Sequence, residues 1–119
     1  MIICIQGLGY VGSAMGVAAS LAKKRFKGKN FKIFGIEKPT NRGKEIIKKI
    51  NDGVFPFKSN DQKLRLSMKR IKKMNIFNAT HSTSIYKKAD VIIVSINCDL
   101  INENGKKKID ILNFKKSII

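Results

Sequence analysis

The sequence predicts an α/β fold, a parallel sheet with helices on both faces, and three observations carry that prediction. Apolar runs alternate with helical patterns along the chain, and strands buried on both faces read as continuous Val/Ile/Leu-rich segments. The first run, Ile2-Ile3-Cys4-Ile5, breaks into Gly-x-Gly-x-x-Gly at Gly7, Gly9 and Gly12. Small residues then follow, Ser13-Ala14-Met15-Gly16-Val17-Ala18-Ala19, so that a helix can lie close to the strand it leaves.

The elements follow in order. A first helix runs over about residues 10–25, and Phe31-Lys32-Ile33-Phe34-Gly35-Ile36 reads as the second strand. A second helix begins at Thr40 or Asn41, either a good N-cap. It carries Ile46, Ile47 and Ile50 on one face and stops at Asn51-Asp52-Gly53. Pro56 forces an extended connection. Ser59 and Gln62 have capping-box spacing before a third helix, whose Leu64, Met68 and Ile71 fall at i, i+4, i+7. A short strand over 75–80, a helical turn over 84–88 and a fully buried strand over 91–96 come next, and residues 109–119 begin another helix. The expected sheet order is 3-2-1-4, with a ligand at the switch between strands 1 and 4.

Each glycine of the loop has a physical task. Gly7 lets the chain leave the strand in a tight turn, Gly9 lacks the Cβ that would hold a ligand off the backbone, and Gly12 lets helix and strand approach. Strand, glycine turn and helix together aim free N–H groups and the positive end of a helix dipole at phosphates. A lone glycine pattern is weak, and its plain reading is a structural turn. Its place between a strand and a helix points to a dinucleotide's pyrophosphate. Glu37 closes the second strand, where a carboxylate accepts hydrogen bonds from ribose hydroxyls. It repels a 2′-phosphate, which favours NAD over NADP, although Lys38 and Arg42 stand close enough in sequence to neutralise one.

Composition narrows the class. A chain of 119 residues with 43% hydrophobic and 28% charged residues is expected to form one globular domain over 1–119. No apolar run reaches the length of a membrane span and the start lacks a basic signal-peptide region, so the expectation is a cytoplasmic chain without membrane contact. Cys4 and Cys98 make no disulfide framework. The net charge of +17 comes from lysines spread through nearly every segment. Nucleic-acid binding needs a concentrated patch and usually stacking rings, so no nucleic-acid partner is expected.

The motifs, taken together, resemble a known family. Gly7-Leu8-Gly9-Tyr10-Val11-Gly12, Asn51-Asp52-Gly53 followed by Phe55-Pro56-Phe57, Asn78-Ala79-Thr80 and Ala89-Asp90-Val91-Ile92-Ile93-Val94 are similar to the N-terminal domain of the UDP-glucose and GDP-mannose 6-dehydrogenases. Tyr10-Val11 and the Pro56 element carry more of that resemblance than the glycines do. It implies a Rossmann-like domain and an NAD-dependent, four-electron oxidation of a sugar C6 alcohol to a carboxylate through a cysteine-bound aldehyde. On this chain it implies Gly7, Gly9, Tyr10, Val11 and Gly12 at the pyrophosphate and Glu37 at the adenosine ribose. Arg42 would stand nearby, with Ser95 and Cys98 on the cofactor side beyond the fourth strand. Asn97-Cys98-Asp99 departs from the family's small residue, threonine and proline there, and Ser59 stands near the place of a family glutamate.

The resemblance also implies a second domain that holds the nucleotide sugar and supplies the catalytic cysteine. This chain lacks it, so the sequence names no catalytic residue and reads as C-terminally truncated after about four strands. An unpaired apolar strand at 91–96 is expected to favour a homo-oligomer. Cys98 fits a cofactor-lining position better than a nucleophile, Cys4 a packed strand residue, and His81 a surface histidine without metal partners. Asp90 fits a turn, and Asp99, Asn102, Glu103 and Asn104 fit a loop without the spacing of a calcium site. Two other readings stay open: another dehydrogenase of this cofactor fold, of hydroxyacid or hydroxyacyl-CoA type, and a basic nucleic-acid-binding module.

Overall fold

A computed structural model describes residues 1–22, 32–96 and 100–118. The elements are β1 (Ile2–Gln6), α1 (Tyr10–Leu21), β2 (Lys32–Ile36), α2 (Asn41–Asn51), α3 (Gln62–Met74), β3 (Phe77–Thr80), a 3₁₀ turn (Thr83–Lys88) and β4 (Val91–Val94). Then come β5 (Leu100–Glu103), β6 (Lys106–Ile109) and α4 (Ile111–Ile118). The main sheet has the expected order β3-β2-β1-β4, with every pair parallel. Register sets Ile3 opposite Ile33 and Val91, and Ile33 opposite Phe77.

One face of the sheet carries the core. Ile5 and Ile33 pack there with Val17, Ile46, Ile50, Met68, Ile71 and Phe77 in a single cluster. Successive strand residues point to opposite faces. The buried Cys4 therefore faces the other way, where its thiol approaches the Ile85 carbonyl of the 3₁₀ turn at 3.9 Å. Gly16 explains how close α1 lies to the sheet, because a Cβ there would come within 2.2 Å of the Phe77 ring.

Local chemistry sets the helix ends. Thr40 is the N-cap of α2, its hydroxyl accepting from the Gly43 N–H at 3.0 Å. Asn51 ends that helix and turns its amide onto β3, donating to the Ala79 carbonyl at 3.0 Å and accepting from the Ala79 N–H at 2.8 Å. β3 is an edge strand, so this side chain occupies backbone groups that a further strand would otherwise pair. Gly53 then adopts φ +77°, a conformation open mainly to glycine.

Several expectations need correction. The N-cap of α3 is Asp61, not Ser59: the Asp61 carboxylate accepts from the Lys63 and Leu64 N–H groups at 2.9 and 3.3 Å. A carboxylate also suits the positive end of the helix dipole better than a hydroxyl does. Ser59 Oγ instead accepts from the Asp61 N–H and meets the Tyr10 hydroxyl. The strand expected over 91–96 is β4, which ends at Val94 and is not fully buried. Val91, Ile92 and Val94 are 43%, 48% and 39% exposed because β4 is an edge paired with β1 alone.

The loop expected around Asn102, Glu103 and Asn104 is the β5–β6 hairpin. Its turn is Asn104-Gly105, both with positive φ (52° and 75°), as a two-residue hairpin of this hand requires. Ile109 consequently belongs to β6, and the last helix begins after Asp110, whose carboxylate accepts from the Asn113 N–H at 3.2 Å. The expected end of the first helix at Arg25 and the start of the second strand at Phe31 lie outside the described residues. So does Cys98.

Candidate functional site

The glycine loop is built by three close approaches. Gly7 has φ +93°, and a Cβ on it would stand 2.2 Å from the Ser95 carbonyl oxygen, so β4 closes against the loop only because that atom is missing. A Cβ on Gly12 would lie 1.9 Å from the Gly7 carbonyl oxygen, which ties the first turn of α1 to the end of β1. Gly9 is different: a Cβ there would meet nothing within 4 Å. The space beside Gly9 is open, as close approach of a ligand to the backbone requires.

α1 begins at this loop with Gly9 as its N-cap. No side chain caps it and no acidic residue stands in its first turn. The Ser13 hydroxyl holds the loop from behind, donating to the Leu8 carbonyl at 3.1 Å. Opposing carboxylate charge is therefore absent from the first turn, and the positive end of the dipole stays available to an anion.

Glu37 stands at the end of β2 beside the loop. One carboxylate oxygen accepts from the Leu8 N–H at 2.8 Å and the other from the Lys38 N–H at 3.0 Å. A carboxylate has about four acceptor positions, so each oxygen retains capacity for a ligand hydroxyl while its orientation is set by the backbone.

These groups converge on one cleft of about 540 Å³. Gly7, Gly9, Glu37, Arg42 and Ser95, all expected from the sequence, line it. Tyr10, Val11 and Gly12 do not. The Tyr10 ring packs edge-on to Phe55 at 5.3 Å and its hydroxyl bonds Ser59 at 3.2 Å. Val11 is 63% exposed on the first turn of α1, and Gly12 is buried beneath the Gly7 carbonyl. What these three bring to the site is the backbone that starts α1, not side chains in the cleft.

The cleft also has walls that the sequence reading did not assign to a site, His81 among them, which it took for a surface histidine. Gln6 ends β1 beside Gly7, His81, Thr83 and Tyr86 come from the segment after β3, and Asp110, Asn113 and Ser117 come from the start and face of α4. The segment after β3 was reachable by the rule that ligands sit outside the carboxyl ends of parallel strands. α4 was not, since it depends on where the hairpin delivers the chain.

Two titratable groups near the cleft are shifted. Burial pushes the Tyr86 phenol up to about 12, helped by the Cys4 thiol and the Glu37 carboxylate. It stays neutral and can donate a hydrogen bond at physiological pH. Burial likewise raises the Cys4 thiol, which makes it a poor nucleophile. Among the described residues no group of three His, Cys, Asp or Glu side chains forms a metal site, and no helix is long and apolar enough to cross a membrane.

The sequence matches no family model and no curated protein. The structure has clear likenesses. It superposes on an NDP-N-acetyl-D-galactosaminuronic acid dehydrogenase from Methanosarcina mazei Go1 with a TM-score of 0.79 at 20% identity, over 98% of this chain and 23% of that one. A UDP-D-ManNAc dehydrogenase from Pyrococcus horikoshii gives 0.73 at 20% identity, over 99% and 24%. A GDP-mannose dehydrogenase from Pseudomonas aeruginosa, solved as a ternary complex, gives 0.65 at 22%, over 99% and 23%. The chain has the fold of part of a nucleotide-sugar dehydrogenase. It spans about a quarter of the length of these dehydrogenases. The dehydrogenase fold positions a cleft at the carboxyl end of the sheet, and what the cleft does depends on the residues in it.

Proposed function

We propose that this chain is the NAD-binding portion of a nucleotide-sugar 6-dehydrogenase. The observation that carries the reading is the pairing of Glu37 with the glycine loop: its carboxylate is fixed by the Leu8 N–H at 2.8 Å, next to open space at Gly9. In this reading Gly7 and Gly9, with the uncapped start of α1, receive the pyrophosphate. Glu37 accepts the adenosine ribose hydroxyls and disfavours a 2′-phosphate, and Arg42 flanks the adenosine side. Ser95 and Cys98 would line the nicotinamide side.

Bound NAD supplies a hydride acceptor. The residues of this chain hold and orient it, and the Glu37 carboxylate selects the unphosphorylated ribose. Oxidation of the C6 alcohol of a UDP- or GDP-sugar to a carboxylate would consume two NAD and need a cysteine nucleophile. Cys4 cannot serve, because it is fully buried in β1 on the far side from the core. In this reading the whole protein's activity would draw on a sugar-binding domain that supplies the nucleophile, and residues 1–119 by themselves are expected to be inactive. Cytoplasmic location and a role in polysaccharide synthesis belong to the same proposal.

Calorimetric titration tests it. NAD should bind and NADP should bind more weakly. Glu37→Ala should lose at least tenfold in NAD affinity, since hydrogen bonds to a charged group contribute about 1.5–3 kcal/mol. Absence of binding to either cofactor at millimolar concentration would refute the proposal.

A further inference from the structure

We propose that His81 recognises the base of the bound nucleotide, its imidazole serving as the platform on which adenine stacks. The inference rests on the nucleotide reading above and deepens it, because that reading gives partners to the diphosphate and the ribose but none to the flat face of the base. His81 lines the same cleft as Gly7, Gly9 and Glu37, and it is exposed.

The strand register puts it in place. Gln6 pairs with Ile36, and the next residue, Gly7, donates its N–H to the Ile36 carbonyl at 2.9 Å. One strand over the step repeats: Ile36 pairs with Thr80, and Glu37 donates its N–H to the Thr80 carbonyl at 3.1 Å. Gly7, Glu37 and His81 are therefore the first residues past three adjacent strands, which run about 4.8 Å apart. A nucleotide carries its groups in the same order: diphosphate, ribose, base. With the diphosphate at Gly7 and Gly9 and the ribose hydroxyls on Glu37, the base comes to lie one strand further on, at His81.

The chemistry there suits a flat heterocycle. Among the described residues that line the cleft, His81 and Tyr86 carry the aromatic rings. Tyr86 is half-buried in the 3₁₀ turn, which the Cys4 thiol approaches from the side of the sheet away from the core. His81 instead stands at the strand end with its ring accessible. The backbone beside it is held at two points, since the Thr80 carbonyl accepts the Glu37 N–H and the Thr80 hydroxyl accepts the Ser82 N–H at 3.1 Å. Pro39 and Arg42 line the same cleft, and a guanidinium also stacks on aromatic faces. Every base has a π-face, so stacking on a ring contributes whichever polar edge the base presents.

The test is calorimetric titration of the full chain with ADP and with UDP, which share ribose and diphosphate and differ in the base. The unaltered chain should prefer ADP, because a purine offers the larger face for stacking. His81→Ala should weaken ADP binding at least fivefold, the factor corresponding to about 1 kcal/mol at the low end of base–aromatic stacking. It should weaken UDP binding less, so that the preference for ADP shrinks. His81→Phe, which restores a ring without the ring nitrogens, should keep most of the ADP affinity and the preference. Substitution of an exposed side chain leaves stability nearly unchanged, and damage to the glycine loop would weaken both nucleotides alike. Unaltered ADP affinity in His81→Ala, equal losses for ADP and UDP, or no recovery in His81→Phe would overturn the base assignment and leave the nucleotide reading standing. No binding of ADP by the unaltered chain at millimolar concentration would refute the nucleotide reading itself, and the base assignment with it.

Discussion

Gly9→Ala separates the fold from the site. Gly9 sits at φ −66° and ψ −170°, a conformation open to any residue, and a Cβ there meets nothing within 4 Å. Alanine is a poorer N-cap than glycine, a loss of about 0.5–1 kcal/mol. Removing a glycine from the unfolded chain returns about 0.4–1 kcal/mol. The two nearly cancel, so stability should stay within about 0.5 kcal/mol, and the melting temperature within about 2 °C for a chain of this size. Nucleotide binding should nevertheless fall at least tenfold, because the new methyl occupies the space in which a phosphate would approach the backbone.

Gly12→Ala is the counterpart. Its Cβ would stand 1.9 Å from the Gly7 carbonyl oxygen, a backbone atom that can move only if the whole loop moves. The roughly 1 kcal/mol of helix propensity gained is outweighed by overpacking of about 1–3 kcal/mol or more. Chemical denaturation of both variants, with NAD titration of each, decides the matter. Unaltered NAD affinity in Gly9→Ala, or a Gly12→Ala protein more stable than the original, would refute the reasoning.

Other outcomes follow from particular contacts. Asn51→Leu leaves the Ala79 N–H and carbonyl without their side-chain partner and should cost about 1–3 kcal/mol in denaturant unfolding; an unchanged midpoint would show that water replaces the amide at no cost. The Tyr86 phenol, raised to about 12 from an ordinary 10, favours the folded state while it is protonated. That contribution is complete below pH 10 and is lost as pH rises through 12. Phenolate absorbance of a Tyr10→Phe protein should titrate near 12, and a midpoint near 10 would contradict the burial argument. The exposed apolar edge of β4 should make the isolated chain self-associate at micromolar concentration, with Val94→Lys shifting it toward monomer; a monodisperse monomer of the unaltered chain in sedimentation would count against it.

The sheet order was legible because β1, β2 and β4 are short, mostly apolar runs separated by helical patterns, and right-handed crossovers leave little choice of topology. The β5–β6 hairpin was missed, with Asn102, Glu103 and Asn104 read as a loop and Ile109 as helix, because its lysine-rich second strand, Lys106–Ile109, lacks the apolar alternation that would have drawn attention to the Asn104-Gly105 turn. Ser59 and Asp61 show the limit of cap spacing. Both lie where a cap can stand, and the choice between them turned on which side chain could face the helix start while Tyr10 engaged the other.

The sequence by itself determined much of the local chemistry: where the glycines relax the backbone, where the second helix starts and stops, and that Glu37 ends the second strand. Those are properties of residues and their immediate neighbours, set by sterics and capping. Only the tertiary structure decided that Tyr10 belongs to an aromatic cluster with Phe55 and Phe57, that Asn51 seals the edge of β3, and that α4 borders the cleft fastened to Gln6. Each of those contacts joins residues far apart in the chain, and its geometry exists only once the sheet and helices have packed.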